Sequence, residues 1–201
     1  IVFTVSGPDR SILQTERLIL NIMQRMSGIA TQTWEYARKL EGLKTKVLDT
    51  RKTTPGMRFL EKEAVRLGGG GNHRMGLYDM ILIKDNHIDY SGGIINAISN
   101  THSYLKRTGK DLQIEIEARK LEDVDTILRH GGVHRIMLDN FTIDDTRKAV
   151  LLIAGKYETE SSGGITIENL RDYAECGVDF ISVGALTHQI RSLDLSLKAV
   201  K

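Results

Sequence analysis

Short aliphatic runs alternate with longer amphipathic stretches along most of this chain. The aliphatic runs, which we predict to be strands, are Lys46 to Leu48, Met80 to Ile83, Gln113 to Ile116, Ile136 to Leu138, Tyr157 to Thr159 and Phe180 to Val183. The stretches between them repeat apolar residues every three or four positions. They predict helices over Phe59 to Leu67, Ile94 to Arg107, Val124 to His130, Asp144 to Ala154 and Ile167 to Cys176.

Strand followed by helix, recurring at gaps of about 20 to 35 residues, is typical of a parallel βα series. Glycines stand where the helices are expected to end, at Gly109, Gly131, Gly155 and Gly177. Six such units predict an α/β fold, built as an incomplete (β/α) barrel of about six to seven strands. A doubly wound parallel sheet is the alternative.

The first 43 residues follow a different pattern. Thr15 to Leu40 predicts one or two helices, broken near Ser27 and Gly28. One helical face there is apolar and is expected to pack against the barrel: Leu18, Ile22, Met26 and Ile29. The chain opens on a strand-like IVFTVSG without Met, so we expect residues 1–43 to be the remnant of an N-terminal domain with connecting helices. The barrel is then predicted over 44–188, and a C-terminal helix or return segment over 189–201.

Composition narrows the class of protein. Aliphatic residues dominate an apolar content of 40%, which suits an α/β interior, and no apolar run approaches the roughly 20 residues of a membrane helix. The net charge is only +2, with basic and acidic residues interleaved, which disfavours a nucleic-acid surface. The single cysteine, Cys176, excludes an internal disulfide, fits a reducing cytoplasm and is interpreted as a packing residue.

Polar residues follow each predicted strand, and one of them, Glu115, lies inside the third. In chain order they are Asp49, Thr50, Arg51 and Lys52; Lys84, Asp85, Asn86 and His87; Glu115, Glu117 and Arg119; Asp139 and Asn140; Glu160, Ser161, Ser162, Gly163 and Gly164; and Gly184 and Ala185. In a parallel barrel all these positions lie at one rim, where barrel enzymes place their chemistry. The pattern therefore predicts that Arg51 and Lys52 face an anion-binding mouth.

Two of these segments suit a phosphate group. The stretches ESSGGI and SVGA follow the last two strands, where barrels often bind phosphate, and their glycines let backbone N–H groups approach an anion. Helices predicted to begin near Thr166 and Leu186 would direct their positive ends at the same point. Simpler interpretations stay open at this stage. They are a solvated loop at Arg51 and Lys52, a flexible linker at Gly68 to Gly76, and helix caps at Glu117 and Asp139.

The charges indicate the chemistry of the ligands. Cationic or cation-capable groups are concentrated in a nearly neutral chain, and they imply polyanions: Arg17, Arg51, Lys52, His73, Arg74, Lys84 and His87. Glu117 and Asp139 would repel an anion directly, so hydroxyl groups or a bridging magnesium ion are their expected partners. A sugar phosphate with magnesium, together with a carboxylated second substrate, satisfies both groups of side chains.

Six segments carry a resemblance to a known family: ERLILNIMQRMSGIATQT, the long DTRKTTPGMRFLEKEAVRLGGGGNHRMGLYDMILIKDNHI, IEIEARKLED, IMLDNF, ESSGGI and GVDFISVGALTH. Together they are similar to nicotinate-nucleotide pyrophosphorylase, also called quinolinate phosphoribosyltransferase, from about Ile1 to Leu197. The resemblance implies transfer of phosphoribose from phosphoribosyl pyrophosphate to quinolinate. Carbon dioxide and pyrophosphate are lost, and nicotinate mononucleotide is formed for NAD synthesis. It also implies that residues 1–43 come from a truncated N-terminal α/β sandwich domain.

The same resemblance implies roles for individual residues. Arg51, His73, Arg74 and Lys84 would hold quinolinate, with Thr50 and His87 lining the site. Lys52 would meet the pyrophosphate, and Glu117 and Asp139 would bind the ribose hydroxyls and magnesium. The cradle for the 5-phosphate would be Ser162, Gly163, Gly164, Val183, Gly184 and Ala185.

Arg17 matches an arginine that the family inserts into the neighbouring subunit's site, which implies a homodimer or a higher oligomer. Two alternatives stay open: the related molybdenum-transport-associated phosphoribosyltransferase paralogue, and a non-catalytic anion-binding module. The intact TRK, NHR and IKDNH elements argue against the paralogue.

Overall fold

Six parallel strands form one open sheet in a computed structural model that describes residues 1–200. The strands are β1 (Lys46–Leu48), β2 (Ile81–Ile83), β3 (Ile114–Ala118), β4 (Arg135–Asp139), β5 (Glu158–Ser162) and β6 (Phe180–Ser182). They are hydrogen-bonded in the order β1-β6-β5-β4-β3-β2. The predicted parallel βα series is confirmed, and each predicted run overlaps a strand.

Helices connect the strands and cover one face of the sheet. They are α1 (Asp9–Lys39), α2 (Arg58–Leu67), α3 (Asp85–Tyr90), α4 (Ile94–Thr108), α5 (Leu121–His130), α6 (Ile143–Ile153), α7 (Leu170–Glu175) and α8 (Ala185–His188). Among residues 1–200, no helix is both long and apolar enough to cross a bilayer.

The sheet does not close into a complete barrel. Strands β1 and β2 lie at its two ends, and a single bridge from Leu48 to Gly71 extends the sheet beyond β1. This arrangement confirms an incomplete barrel.

The two faces of the sheet differ in chemistry because strand side chains alternate in direction. On β3, Ile114, Ile116 and Ala118 belong to the apolar core beneath the helices. The intervening Glu115 and Glu117 are also buried, but Glu115 faces charged groups from neighbouring elements. The inner face of the sheet is therefore polar, and it forms the floor of the site.

Helix α1 is continuous, so the predicted break near Ser27 and Gly28 is wrong. A Cβ atom on Gly28 would lie 2.4 Å from the carbonyl oxygen of Arg191, so glycine here allows close packing rather than a bend. Residues 189–200 form no helix; they return across α1, where the Leu193 N–H group donates to the Gln24 carbonyl oxygen (3.1 Å). The C-terminal segment is thus of the return type.

The apolar face predicted on α1 packs only towards its C-terminal end. Ile29 is fully buried, whereas Leu18 is 64% exposed. Other exposed apolar side chains lie beside Leu18 and between it and the start of the chain: Ile1, Val2, Phe3, Val5, Leu13 and Ile19. The predicted domain boundaries remain predictions.

Candidate active site

A cavity of about 1020 Å³ opens at the carboxyl ends of the strands. Fourteen of the sixteen residues predicted for the site line it: Thr50, Arg51, Lys52, His73, Arg74, Lys84, Glu117, Asp139, Ser162, Gly163, Gly164, Val183, Gly184 and Ala185. Their convergence follows from the parallel sheet, in which every strand ends at the same rim.

A buried carboxylate at the end of β1 holds two of the site's loops together. The Asp49 side chain pairs with Lys62 Nζ and accepts hydrogen bonds from the His73 N–H group (2.8 Å) and from Asn72 Nδ2 (2.7 Å). Lys62 Nζ also donates to the His73 carbonyl oxygen (2.9 Å). The glycine-rich segment is therefore a fixed wall of the cavity, and its interpretation as a flexible linker is excluded.

Arg58 joins the same two loops from the side of the cavity. Its guanidinium group donates to the Arg51 carbonyl oxygen (3.2 Å), to Thr53 Oγ1 (3.0 Å) and to the Met75 carbonyl oxygen (3.1 Å). Sequence reasoning missed Arg58, although it lies in the quoted TTPGMR segment. The other lining residues that it missed include Gln32, Tyr36 and His188, whereas Asn140 lies at the predicted rim.

His73 is held as a neutral imidazole with a fixed orientation. Its Nδ1 atom accepts a hydrogen bond from the Arg74 N–H group (2.7 Å), so the ring proton is on Nε2. That nitrogen lies 2.9 Å from Glu115 Oε2 and 3.6 Å from Glu160 Oε1. Burial lowers the pKa of His73, and burial raises the pKa of both carboxyl groups. Arg135 is the cation that balances this cluster, at 3.0 Å from Glu160.

Arg74 and Arg51 face the cavity as neighbouring cations. The pKa of Arg74 is lowered, first by burial and then by the positive charge of Arg51. The guanidinium group makes one hydrogen bond, of 3.3 Å, to the Met80 carbonyl oxygen. An anion placed against both arginines would relieve their repulsion, and a carboxylate matches the two donors of a guanidinium group.

The acidic side of the cavity is formed by Glu117 and Asp139. Glu117 pairs with Lys84 Nζ and accepts a hydrogen bond from the Asp85 N–H group (3.1 Å) at the start of α3. Asp139 accepts one from Asn140 Nδ2 (2.9 Å), and its pKa is raised by burial and by the charge of Glu117. Glu117 thus caps a neighbouring helix as well as lining the site.

Asp139 does not cap the helix that follows it. The Thr142 hydroxyl accepts from the Asp145 N–H group (3.1 Å) and caps α6 instead. The capping interpretation is therefore wrong for Asp139, and its carboxylate is left facing the cavity.

The glycines after β5 and β6 form a narrow concavity. Gly163 has a φ of +92°, and a Cβ atom there would lie 2.2 Å from Asn140 Oδ1. A Cβ atom on Gly184 would lie 3.2 Å from the Lys52 Cδ atom. Helix α7 is shorter than predicted, because it begins at Leu170 rather than near Thr166. Helix α8 begins at Ala185, close to the predicted Leu186, and has four residues. Backbone N–H groups, not long helix dipoles, are the donors available here.

Two predicted residues lie elsewhere. His87 lines a separate cavity of about 490 Å³ beside β2 and α4, because its Nδ1 atom accepts a hydrogen bond from the Lys84 N–H group (2.8 Å) at the start of α3. His87 therefore lies outside the main cavity, and its predicted role in the site stays a prediction. Arg17 is exposed on the first turns of α1.

Residues 29–198 match the family model described as quinolinate phosphoribosyl transferase, C-terminal domain. The chain belongs to the quinolinate phosphoribosyl transferase family. It is 47% identical to the chloroplastic nicotinate-nucleotide pyrophosphorylase [carboxylating] of Arabidopsis thaliana, over 96% of this chain and 59% of that protein. It is 45% identical to the probable nicotinate-nucleotide pyrophosphorylase [carboxylating] of Bacillus subtilis, over 98% of this chain and 67% of that protein.

Solved structures of the quinolinate phosphoribosyl transferase family share the fold. The crystal structure of NadC from Streptococcus pyogenes superposes with a TM-score of 0.89 and 41% identity, over 96% of this chain and 66% of that chain. The nicotinate-nucleotide pyrophosphorylase of Francisella tularensis gives a TM-score of 0.85 and 42% identity, over 94% of this chain and 65% of that chain. The chain thus spans 59% of the length of its Arabidopsis relative and about two thirds of these two structures.

Proposed function

We propose that the protein is a quinolinate phosphoribosyltransferase. It transfers phosphoribose from phosphoribosyl pyrophosphate to quinolinate, releases carbon dioxide and pyrophosphate, and forms nicotinate mononucleotide for NAD biosynthesis. The observation that carries the proposal is one cavity with three kinds of group: a cationic wall at Arg51 and Arg74, two carboxylates, and a glycine-lined concavity. Each kind suits one part of the two substrates.

Quinolinate would bind at the cationic wall. Its two carboxylates would take the donors of Arg51, Arg74 and Lys84, and His73 would contact the ring. Arg58 and Asp49 hold the loops that carry these groups, so the wall is arranged before the substrate arrives. A preformed wall lowers the cost of orienting the ring nitrogen towards the ribose.

Phosphoribosyl pyrophosphate would lie along the opposite side. The 5-phosphate would accept hydrogen bonds from the backbone of Ser162 to Gly164 and of Val183 to Ala185, and the pyrophosphate would meet Lys52. As the bond from ribose C1 to pyrophosphate breaks, the ring nitrogen donates its electron pair to that carbon. Positive charge developing on the ribose is stabilised by the carboxylates, and the departing pyrophosphate by Lys52.

Loss of carbon dioxide follows from the new charge on the ring. The electron pair of the broken carbon–carbon bond stays on the ring carbon beside the cationic nitrogen, and that carbon then takes up a proton. No nucleophilic side chain is required. Cys176 is buried, consistent with packing.

The carboxylates also suit a magnesium ion that arrives with the pyrophosphate. Oxygen donors are what magnesium prefers, and Asp139 faces the cavity with one hydrogen bond to Asn140. Lys84 already neutralises Glu117, so Asp139 is the principal expected ligand and Glu117 the second. Bound magnesium would neutralise charge on the leaving pyrophosphate.

The active form would be a homodimer or a higher oligomer located in the cytoplasm. Exposed Arg17 and the apolar side chains around it support a subunit contact in which Arg17 reaches the neighbouring cavity. We expect no nucleic acid or membrane partner.

The test is release of labelled carbon dioxide from quinolinate labelled in the carboxylate beside the ring nitrogen, using the protein expressed from its complete gene. Release should require both phosphoribosyl pyrophosphate and magnesium. Lys52→Ala should lower turnover by about 100-fold or more, because a cation facing the developing negative charge is lost. Lys46→Ala is the matched control. Lys46 is exposed at the first residue of β1, whereas Lys52 lies in the loop that follows the other end of that strand.

Two results would contradict the proposal. Near-wild-type turnover in Lys52→Ala would contradict the assignment of Lys52 to the pyrophosphate site. Binding of phosphoribosyl pyrophosphate without any carbon dioxide release would favour the anion-binding module.

A further inference from the structure

A second layer of contacts lies behind the cavity, around Arg25 of α1 and Glu61 of α2. Arg25 Nε lies 2.6 Å from Glu61 Oε1. The Glu61 side chain is fully buried, and that of Arg25 is 27% exposed. Both lie outside the cavity lining. A buried carboxylate without a partner would be strongly unfavourable, so the position of Glu61 depends on this arginine.

Arg25 and Glu61 both form hydrogen bonds with the loop that follows β1. The Thr54 N–H group donates to Glu61 Oε2 (3.1 Å), and the Thr54 hydroxyl accepts from Arg25 Nη2 (2.8 Å). Thr54 is two residues beyond Lys52. The same pair of charges therefore fixes both the backbone and the side chain of the loop that carries the cation proposed for pyrophosphate.

The pair also reaches the segment that follows β6. Arg25 Nη2 donates to the carbonyl oxygen of Thr187 in α8 (3.0 Å), and the Thr187 hydroxyl donates to the carbonyl oxygen of Lys52 (2.8 Å). Inside the cavity the same two segments nearly touch, where Gly184 faces the Lys52 side chain. Arg25, Glu61 and Thr187 thus tie two loops that are 135 residues apart in sequence.

We propose that Arg25 and Glu61 are positioning residues that set the distance between Lys52 and the Val183–Ala185 backbone. This inference rests on the proposed function, in which those two groups bind the opposite ends of phosphoribosyl pyrophosphate. One substrate then bridges both loops, and its reacting carbon lies between them. Fixing the loops in advance removes an orientation cost that the substrate would otherwise meet.

The contacts of Arg25, Glu61 and Thr187 form a junction between the two loops. The geometry also indicates which substrate depends on this junction. Arg51 is held separately, because its carbonyl oxygen accepts a hydrogen bond from Arg58 rather than from Arg25. The quinolinate side is thus anchored by different contacts. Loosening the junction should affect phosphoribosyl pyrophosphate much more than quinolinate.

Steady-state kinetics on the protein expressed from its complete gene tests this separation. In Glu61→Gln an amide replaces the carboxylate, so its NH₂ group opposes a donor. We expect kcat/KM for phosphoribosyl pyrophosphate to fall at least about tenfold, with the KM for quinolinate changed by less than about twofold. Arg25→Lys should restore part of the activity lost in Arg25→Ala, because a cation still reaches Glu61.

Thr187→Val provides a second route if Glu61→Gln fails to fold. It removes only the hydroxyl that contacts Lys52, and we expect the KM for phosphoribosyl pyrophosphate to rise about fivefold. Thr33→Val is the matched control: Thr33 is equally buried, and its hydroxyl bonds only to the Ile29 carbonyl oxygen within α1. Its kinetics should match the wild type.

Equal changes in the KM values for both substrates, or unchanged kinetics in folded Glu61→Gln and Thr187→Val, would overturn the inference. Absence of turnover in the wild type would instead reject the proposed function. The two failures are therefore distinguishable.

Discussion

Glu160 is one of several ionisable side chains buried on the inner face of the sheet. Its side chain is fully buried, with Glu115, His73 and Arg135 around it. Burial and the negative charge of Glu115 raise the pKa of Glu160 to about 8. In the unfolded chain a glutamate titrates near pH 4.3, as model peptides do. Between these two values the folded protein binds more protons than the unfolded chain.

The sign of the pH dependence follows from this difference. Stability falls as pH rises wherever the folded state holds the extra proton, so Glu160 contributes a decline from about pH 4.3 to about pH 8. Glu160→Gln should flatten the fall in Tm measured between about pH 5 and pH 8. Glu158→Gln is the control, because Glu158 lies on the same strand and contacts the same Arg135 but is half exposed. An unchanged slope in Glu160→Gln would contradict the prediction.

Single residues were predictable where strand ends reveal them. Arg51, Lys52 and Asp139 follow aliphatic runs, and the parallel topology alone brings them to one rim. Arg58 and Arg25 give no such signal, since their roles depend on carbonyl oxygens and hydroxyls that belong to distant loops. The sequence also did not reveal that the His87 ring accepts a hydrogen bond from the Lys84 N–H group, at the start of its own helix, and lines the second cavity.

At the scale of the elements, a substitution at Gly28 tests the close packing of α1 against the C-terminal segment. Gly28→Ala should be favourable by helix propensity alone, by about 1 kcal/mol. The Arg191 carbonyl oxygen lies where the new methyl group would be, so we expect a net loss of stability and a lower Tm. Gly7→Ala is the control, because nothing lies within 4 Å of a Cβ atom there. A higher Tm for Gly28→Ala would show that the return segment is loosely held.

The bounds of strands and helices were predictable where they depend on the pattern of apolar residues within the segment itself. The bounds of β1 match the prediction, and α2 and α4 differ from it by one residue. The break in α1 was wrongly predicted because a glycine within a helix usually signals weakness, and the sequence does not reveal the carbonyl group that approaches it. Helix α7 starts late because Asn169 Oδ1 accepts from the Thr166 N–H group (2.8 Å) and stabilises a turn first.

At the scale of the whole molecule, the proposed exchange of Arg17 between subunits gives a complementation test. Arg17→Ala and Lys52→Ala chains should each be inactive alone. Mixed dimers contain one cavity in which both residues are intact, because the two defects fall together in the other cavity. Random mixing should therefore restore about a quarter of wild-type turnover. Sites complete within one chain would show no restoration, and the unmixed Arg17→Ala and Lys52→Ala proteins give the background.

The architecture of the whole sheet was predictable. Which two strands lie at the ends of the open sheet was not predicted. Alternating strands and helices specify a parallel sheet with its rim at the strand ends. Which strands are left at the ends of the sheet depends on pairing over long distances, and Leu48 with Gly71 makes the one bridge outside the named strands among residues 1–200.

Pairing of β1 with β6 also bears on how the chain folds. Strand β1 is synthesised first, but the strand beside it is made last, so the sheet cannot be completed in the order of synthesis. Contacts of such long sequence separation form slowly, because a large loop must close before they contribute. Until then the edges of β1 and β5 remain exposed to unwanted strand pairing. The proposed anion site between Lys52 and Gly184 would accordingly be among the last parts of the molecule to form.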